Sequence, residues 1–353
     1  MMTPSTPSLS RARRPFLFGF VLIAMLSVVF ILSLGLGSVS IHPSDVVQVL
    51  AGQTPSKPIL STIIWDLRLP RTLTAILAGS ALAVAGLQMQ TMFRNPLAGP
   101  YVLGVDAGAS LGVALVTLGW GVGAEGFLAN VGLLAGLGRL GAATMGAAAT
   151  LFLVMAIAAR VRSDVTLLVV GLLIGYFASG LVGVMVYMSV PESIQRYLQW
   201  TFGSFTTATW PTLGLLALSV GFGVSIAVLL SKSMDALLLG EEYAESVGVA
   251  VRRVRWGLVI GSSILAASVT AICGPIGFIG VAVPHLAREV LRTSQHRYLL
   301  PSTMLIGAIV AVIADIIARG PGNDVTLPLN AITALFGAPL LVWLVMRRVE
   351  VAQ

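Results

Sequence analysis

The chain has 353 residues, of which 57% are hydrophobic and 10% charged, with a formal net charge of +7. Soluble globular domains carry about 25% charged residues, so this balance excludes one and points to a polytopic membrane protein. Cys273 is the single cysteine, which excludes an intramolecular disulfide and a cysteine-cluster metal site.

In chain order, Arg11, Arg13 and Arg14 precede an apolar run over residues 16–36. The charges resemble those of a signal peptide. The run exceeds the usual apolar core of about 7–15 residues, however, and no small-residue cleavage pattern follows it, so it reads as an uncleaved first span. Further apolar stretches cover 72–92, 103–118, 142–159, 165–188, 213–230, 256–272, 276–286, 300–317 and 327–346. A bilayer core takes about 20 helical residues, so these predict an all-α fold with about ten transmembrane helices. The eighth stretch is too short to cross alone unless it extends through Arg288.

Two segments stand apart from the spans: 38–69, which holds Pro43, Pro55 and Pro58, and 231–255, which has mixed charge. Neither leaves room for a separate soluble domain, so residues 1–353 read as one transmembrane domain. Residues 191–203 read as a short amphipathic helix at the membrane surface, with Tyr197 and Trp200 at interface depth.

An even number of spans puts both termini on one side, and Lys and Arg accumulate on cytoplasmic loops. Termini inside places the three N-terminal arginines with Arg94, Arg160, Arg162, Lys232, Arg252, Arg253, Arg255, Arg288, Arg292, Arg297, Arg347 and Arg348 in the cytoplasm. Lys57, Arg68, Arg71, Arg139, Arg196 and Arg319 remain outside. The net charge therefore reads as orientation bias, with no sign of nucleic-acid binding.

Catalytic signatures do not emerge. Lys57 and Lys232 are the only lysines, and neither ends the Gly-x-x-x-x-Gly-Lys-Ser/Thr loop that holds nucleotide phosphates. His42, His285 and His296 lie far apart without ligand partners at metal-binding spacing. No nucleophile–base pair is legible, so the chain reads as a transport protein without enzymatic activity or cofactor of its own.

Charges inside spans are costly and mark either pairing or function. Asp315 stands four residues before Arg319, so the two share a helix face and can pair; the alternative is an ion-coupling role, as in a secondary transporter. Asp106 begins the third span, either as an N-cap or as part of a pathway. Leu239-Gly240-Glu241-Glu242-Tyr243-Ala244-Glu245-Ser246-Val247-Gly248 is a compact charged helix between glycines. It is either a solvated connector or a docking helix for a cytoplasmic partner, with Glu241 and Glu242 near its positive end.

Several motifs together resemble the FecCD-type permeases of ABC importers for iron-siderophores, haem and cobalamin. They are Arg68-Leu69-Pro70-Arg71, Gln88-Met89-Gln90, Asn95-Pro96-Leu97-Ala98-Gly99-Pro100, Leu103-Gly104-Val105 with Gly108-Ala109, and the 239–248 loop. Gly274-Pro275-Ile276-Gly277-Phe278-Ile279-Gly280, Pro284-His285-Leu286-Ala287-Arg288 and Thr333-Ala334-Leu335-Phe336-Gly337-Ala338-Pro339 complete the set.

The resemblance implies a dimeric permease of ten helices per subunit, with spans 2–5 and 7–10 related by an inverted repeat. It implies an inner-membrane subunit that receives its substrate from a periplasmic binding protein and alternates access as a partner ATPase dimer binds and hydrolyses ATP with Mg. The second permease subunit is the same or a homologous chain. A ferric siderophore is the expected cargo, with haem and cobalamin as alternatives.

By the same resemblance, Leu239, Gly240, Glu241, Glu242, Tyr243, Ala244 and Gly248 dock the ATPase. Arg68, Arg71 and Arg319 pair with glutamates of the binding protein, as exposed ion pairs that govern orientation and on-rate. Met185, Tyr187, Met188 and Gln199, on span five and the helix after it, either line the pathway or serve packing. Asp106 departs from the family pattern, which often has Ser or Asn there.

Overall fold

A computed structural model of the chain describes residues 9–37, 39–118, 134–158, 160, 164–320 and 326–352. All regular structure among them is helical. The long helices are α1 (Leu9–Gly35), α4 (Leu69–Met92), α5 (Val105–Thr117), α6 (Leu134–Ala158), α7 (Asp164–Tyr187), α9 (Trp210–Leu229), α12 (Val251–Cys273), α13 (Ile279–Leu291), α14 (His296–Ala318) and α15 (Leu329–Ala352). Short helices connect them: α2 (Pro43–Leu50), α3 (Ile59–Thr62), α8 (Pro191–Thr201), α10 (Ser231–Leu238) and α11 (Glu241–Ser246). A π-helical turn over Ile63–Arg68 joins α3 to α4.

Each of the ten expected apolar stretches coincides with one long helix. Seven of the described helical stretches are long and apolar enough to cross a bilayer, among them Ile59–Met92. Helix α5 and the Leu329–Trp343 portion of α15 are shorter apolar helices. Helix α13 runs through Arg288 to Leu291, past the expected end at 286.

Helix α4 is the axis of the bundle, with 83% of its most apolar window buried, against 17% for α6 and α7. It packs against α9, α12, α13 and α14, and it does so through small residues. A Cβ on Gly79 would stand 2.2 Å from the Gly307 carbonyl oxygen of α14, and one on Gly86 would stand 1.6 Å from the Gly280 oxygen of α13. Backbone meets backbone at both points, as expected where van der Waals contact drives helix association in a membrane. A second group pairs α5 with α6, α7 and α8.

One sequence expectation is corrected. Gly104, at φ +73°, occupies the cap position of α5, and Asp106 lies inside the first turn, so Asp106 is not the N-cap. The left-handed turn brings Gly104 close to Gly171 of α7, where a Cβ would meet the Gly171 oxygen at 2.9 Å. Tyr197 of α8 is buried within the chain, its ring centroid 6.3 Å from that of Trp200. Between α1 and α4, His42 caps α2, with Pro43 in the first turn where its missing N–H costs nothing.

Candidate functional site

Three regions hold the residues singled out by sequence. At one end of the α4–α14 pair, Asp315 is 1% exposed and lies between two guanidiniums. Arg71 of α4 approaches it in fork geometry, Nε to Oδ1 at 3.0 Å and the terminal nitrogen to Oδ1 at 2.8 Å. Arg319 reaches Oδ2 at 2.9 Å across one helical turn. The spacing-based pairing of Asp315 with Arg319 is thus present, and Arg71 joins it from 244 positions away.

The three arginines are not equally available. Arg68 is 7% exposed and donates to the carbonyls of Leu34 (2.6 Å), Gly35 (2.9 Å) and Val39, which closes the carbonyl end of α1. Arg319 is also 7% exposed and donates to the Ser33 carbonyl (3.0 Å), the Leu36 carbonyl (3.2 Å) and the Ser33 hydroxyl (2.6 Å). The Ser33 hydroxyl in turn lies 2.8 Å from that of Thr72. The picture of freely exposed charges is therefore wrong for Arg68 and Arg319. Their buried guanidiniums are held by carbonyls that a surface charge would not need.

The 239–248 loop sits at the other end of the bundle. It folds as α11 flanked by Gly240 (φ +115°) and Gly248 (φ +84°), left-handed positions that suit glycine and set the helix at an angle to its neighbours. Tyr243 and Val247 are exposed and, four residues apart, share one apolar face of α11, while Leu239 is exposed just before Gly240, ahead of the helix. Glu242 is exposed beside them, and Ala244 is fully buried against the bundle. Glu241 is not free: its carboxylate lies 2.8 Å from Arg255 of α12. Val247 was missed by sequence reasoning, although it stands four residues after Tyr243.

On α7 and the segment after it, Tyr187 is 90% exposed and Met188 is exposed, while Met185 is only partly so and packs against the core. Gln199 is exposed on α8. Asp106 and Tyr176 line a cleft of about 420 Å³ between α5 and α7, together with Tyr101 and Ser179. No group of three or more His, Cys, Asp or Glu suited to a metal ion occurs among the described residues.

The profile of the FecCD transport family matches residues 25–347. The chain belongs to the FecCD transport family. The molybdate import permease MolB of Haemophilus influenzae is 34% identical over 92% of this chain and 93% of its own length. The vitamin B12 import permease BtuC of Klebsiella pneumoniae is 35% identical over 96% and 95%, and the Fe(3+)-citrate import permease YfmE of Bacillus subtilis is 35% identical over 95% and 96%. A solved metal-chelate type ABC transporter in an inward-facing conformation superposes with a TM-score of 0.81 at 32% identity, covering 93% of this chain and 98% of the other. This FecCD chain is accordingly a multi-pass membrane permease of the ABC-importer type.

Proposed function

We propose that the chain is the translocating subunit of an ATP-driven importer, with residues 231–255 as the cytoplasmic loop through which a partner ATPase acts. The observation that carries this reading is the exposed apolar face of Tyr243 and Val247 on a short helix between two left-handed glycines, with exposed Leu239 just before it. An exposed apolar face beside Glu242, on a helix whose other face is fixed by Ala244, has the chemistry of a protein-docking surface. ATP and Mg belong to the ATPase dimer.

In this reading both termini are cytoplasmic, all ten long helices cross the inner membrane, and two inverted four-helix units follow the first and sixth spans. A second copy or a homologous permease completes the pathway, with Met185, Tyr187, Met188 and Gln199 toward it. Residues 1–353 form the single transmembrane domain. A periplasmic binding protein docks at the Asp315 end. There Arg71 retains some exposure, while Arg68 and Arg319 hold the chain around it, so they shape the docking surface more than they supply its charge.

A ferric siderophore is the proposed cargo, with haem or cobalamin as alternatives. Support comes from a family whose members bear names for Fe(3+)-citrate, hemin and vitamin B12 import. Co-purifying the permease with its binding protein and identifying the retained ligand by mass spectrometry tests both partner and cargo. An iron chelate supports the reading, whereas retained molybdate, haem or cobalamin replaces the cargo.

A further inference from the structure

At the loop end of the bundle, His296 is fully buried where α14 begins, and its ring bridges two other elements. Nδ1 lies 2.6 Å from Asp235 Oδ1 on α10, and the same oxygen accepts the His296 backbone N–H at 2.9 Å. Nε2 lies 2.9 Å from the hydroxyl of Thr91 on α4, which is also fully buried. A carboxylate can only accept, so Nδ1 carries a proton toward Asp235 and the helix start is satisfied from outside its own chain segment. Asp235 lies six residues before Glu241, the first residue of α11, and α10 and α11 pack together with Leu237 and Ala244 buried.

Both helices that this chain of bonds reaches are tied again at their far ends. Arg71 of α4 and Asp315 of α14 form the fork described above. Between the two ties, the Gly79–Gly307 contact leaves no space for the helices to slide apart or together without backbone collision. The pair therefore behaves as one strut about 30 Å long, the rise of the 20 residues from Arg71 to Thr91. Because α4 is enclosed by protein on nearly all sides, a displacement delivered at Thr91 moves other helices and is not absorbed by lipid.

We propose that Asp235, His296 and Thr91 form a positioning link that transmits movement of the docking loop into the α4–α14 strut during transport. The proposal rests on α11 being the ATPase-docking helix. A competing route runs from Glu241 to Arg255 and so into α12.

The test uses the full permease reconstituted with its ATPase and binding protein, and reads substrate transported per ATP hydrolysed. Asp235→Ala and Thr91→Val are expected to lower that ratio about tenfold, a coupling change of the size seen for residues remote from both ligands. The ATPase should co-purify with both variants as it does with wild type. Asp235→Asn, whose amide oxygen still accepts both bonds, and Thr91→Ser, which keeps the hydroxyl, should restore most of the ratio. A purely structural role would instead lower folded yield without changing the ratio of the folded fraction.

Wild-type ratios in both Asp235→Ala and Thr91→Val would overturn the link. So would loss of ATPase binding in Asp235→Ala, which would make Asp235 a docking residue, or uncoupling by Glu241→Gln alone. If the wild-type permease fails to retain the ATPase, or Tyr243→Glu leaves that retention unchanged, the docking reading itself fails, whatever the Asp235 and Thr91 variants do.

Discussion

Asp315 is held by two guanidiniums in surroundings that exclude water, and such an arrangement is costly to break from one side only. Removing the carboxylate leaves Arg71 and Arg319 facing each other without compensation. Asp315→Ala is expected to destabilise the protein by about 3–5 kcal/mol, seen as a large loss of thermal stability in detergent. Arg71→Ala should cost less, since Arg319 still neutralises Asp315. This arrangement also argues against Asp315 as an ion-coupling acid, because both carboxylate oxygens are already occupied. Half of it was legible: the i, i+4 spacing of Asp315 and Arg319 gave one pair. Arg71 comes from a distant helix, and no local pattern announces it. The burial of Arg68 was hidden for the same reason, since its partners are backbone carbonyls, which every residue carries.

At the scale of helices, close backbone contact sets the arrangement, and the exposed apolar face of α11 is the proposed partner surface. Gly86→Ala forces a Cβ into the Gly280 oxygen, so α4 and α13 must separate, and a cost of about 1–3 kcal/mol is expected from overpacking. Gly180→Ala, with open space around it on α7, serves as the neutral comparison in the same melting experiment. Tyr243→Glu places a charge on that face of α11 and should weaken ATPase co-purification about tenfold or more without lowering folded yield, since Tyr243 is exposed. Hydropathy located the helices well because lipid demands long apolar runs, but their ends were set by features that hydropathy does not weigh. Helix α12 begins at Val251, before its expected start at 256, because Arg252, Arg253 and Arg255 are tolerated in a first turn outside the apolar core. Helix α13 begins at Ile279 because Phe278, at φ +66°, breaks the chain after Gly274-Pro275. The glycine-bounded α11 was legible as a unit together with Leu239, whereas exposed Val247 was overlooked and Glu241 was read without its partner Arg255.

For the molecule as a whole, polar clusters at the two ends of one buried helix pair join what we propose are two docking surfaces. Family membership supplies the architecture, and the geometry of α4 and α14 supplies a physical path through it. The measurement that tests this account most directly is uptake into proteoliposomes holding the permease, its ATPase and the ligand-loaded binding protein. The account predicts uptake that requires Mg-ATP and all three proteins and persists when ion gradients are collapsed. Uptake that follows an ion gradient and ignores ATP would contradict it.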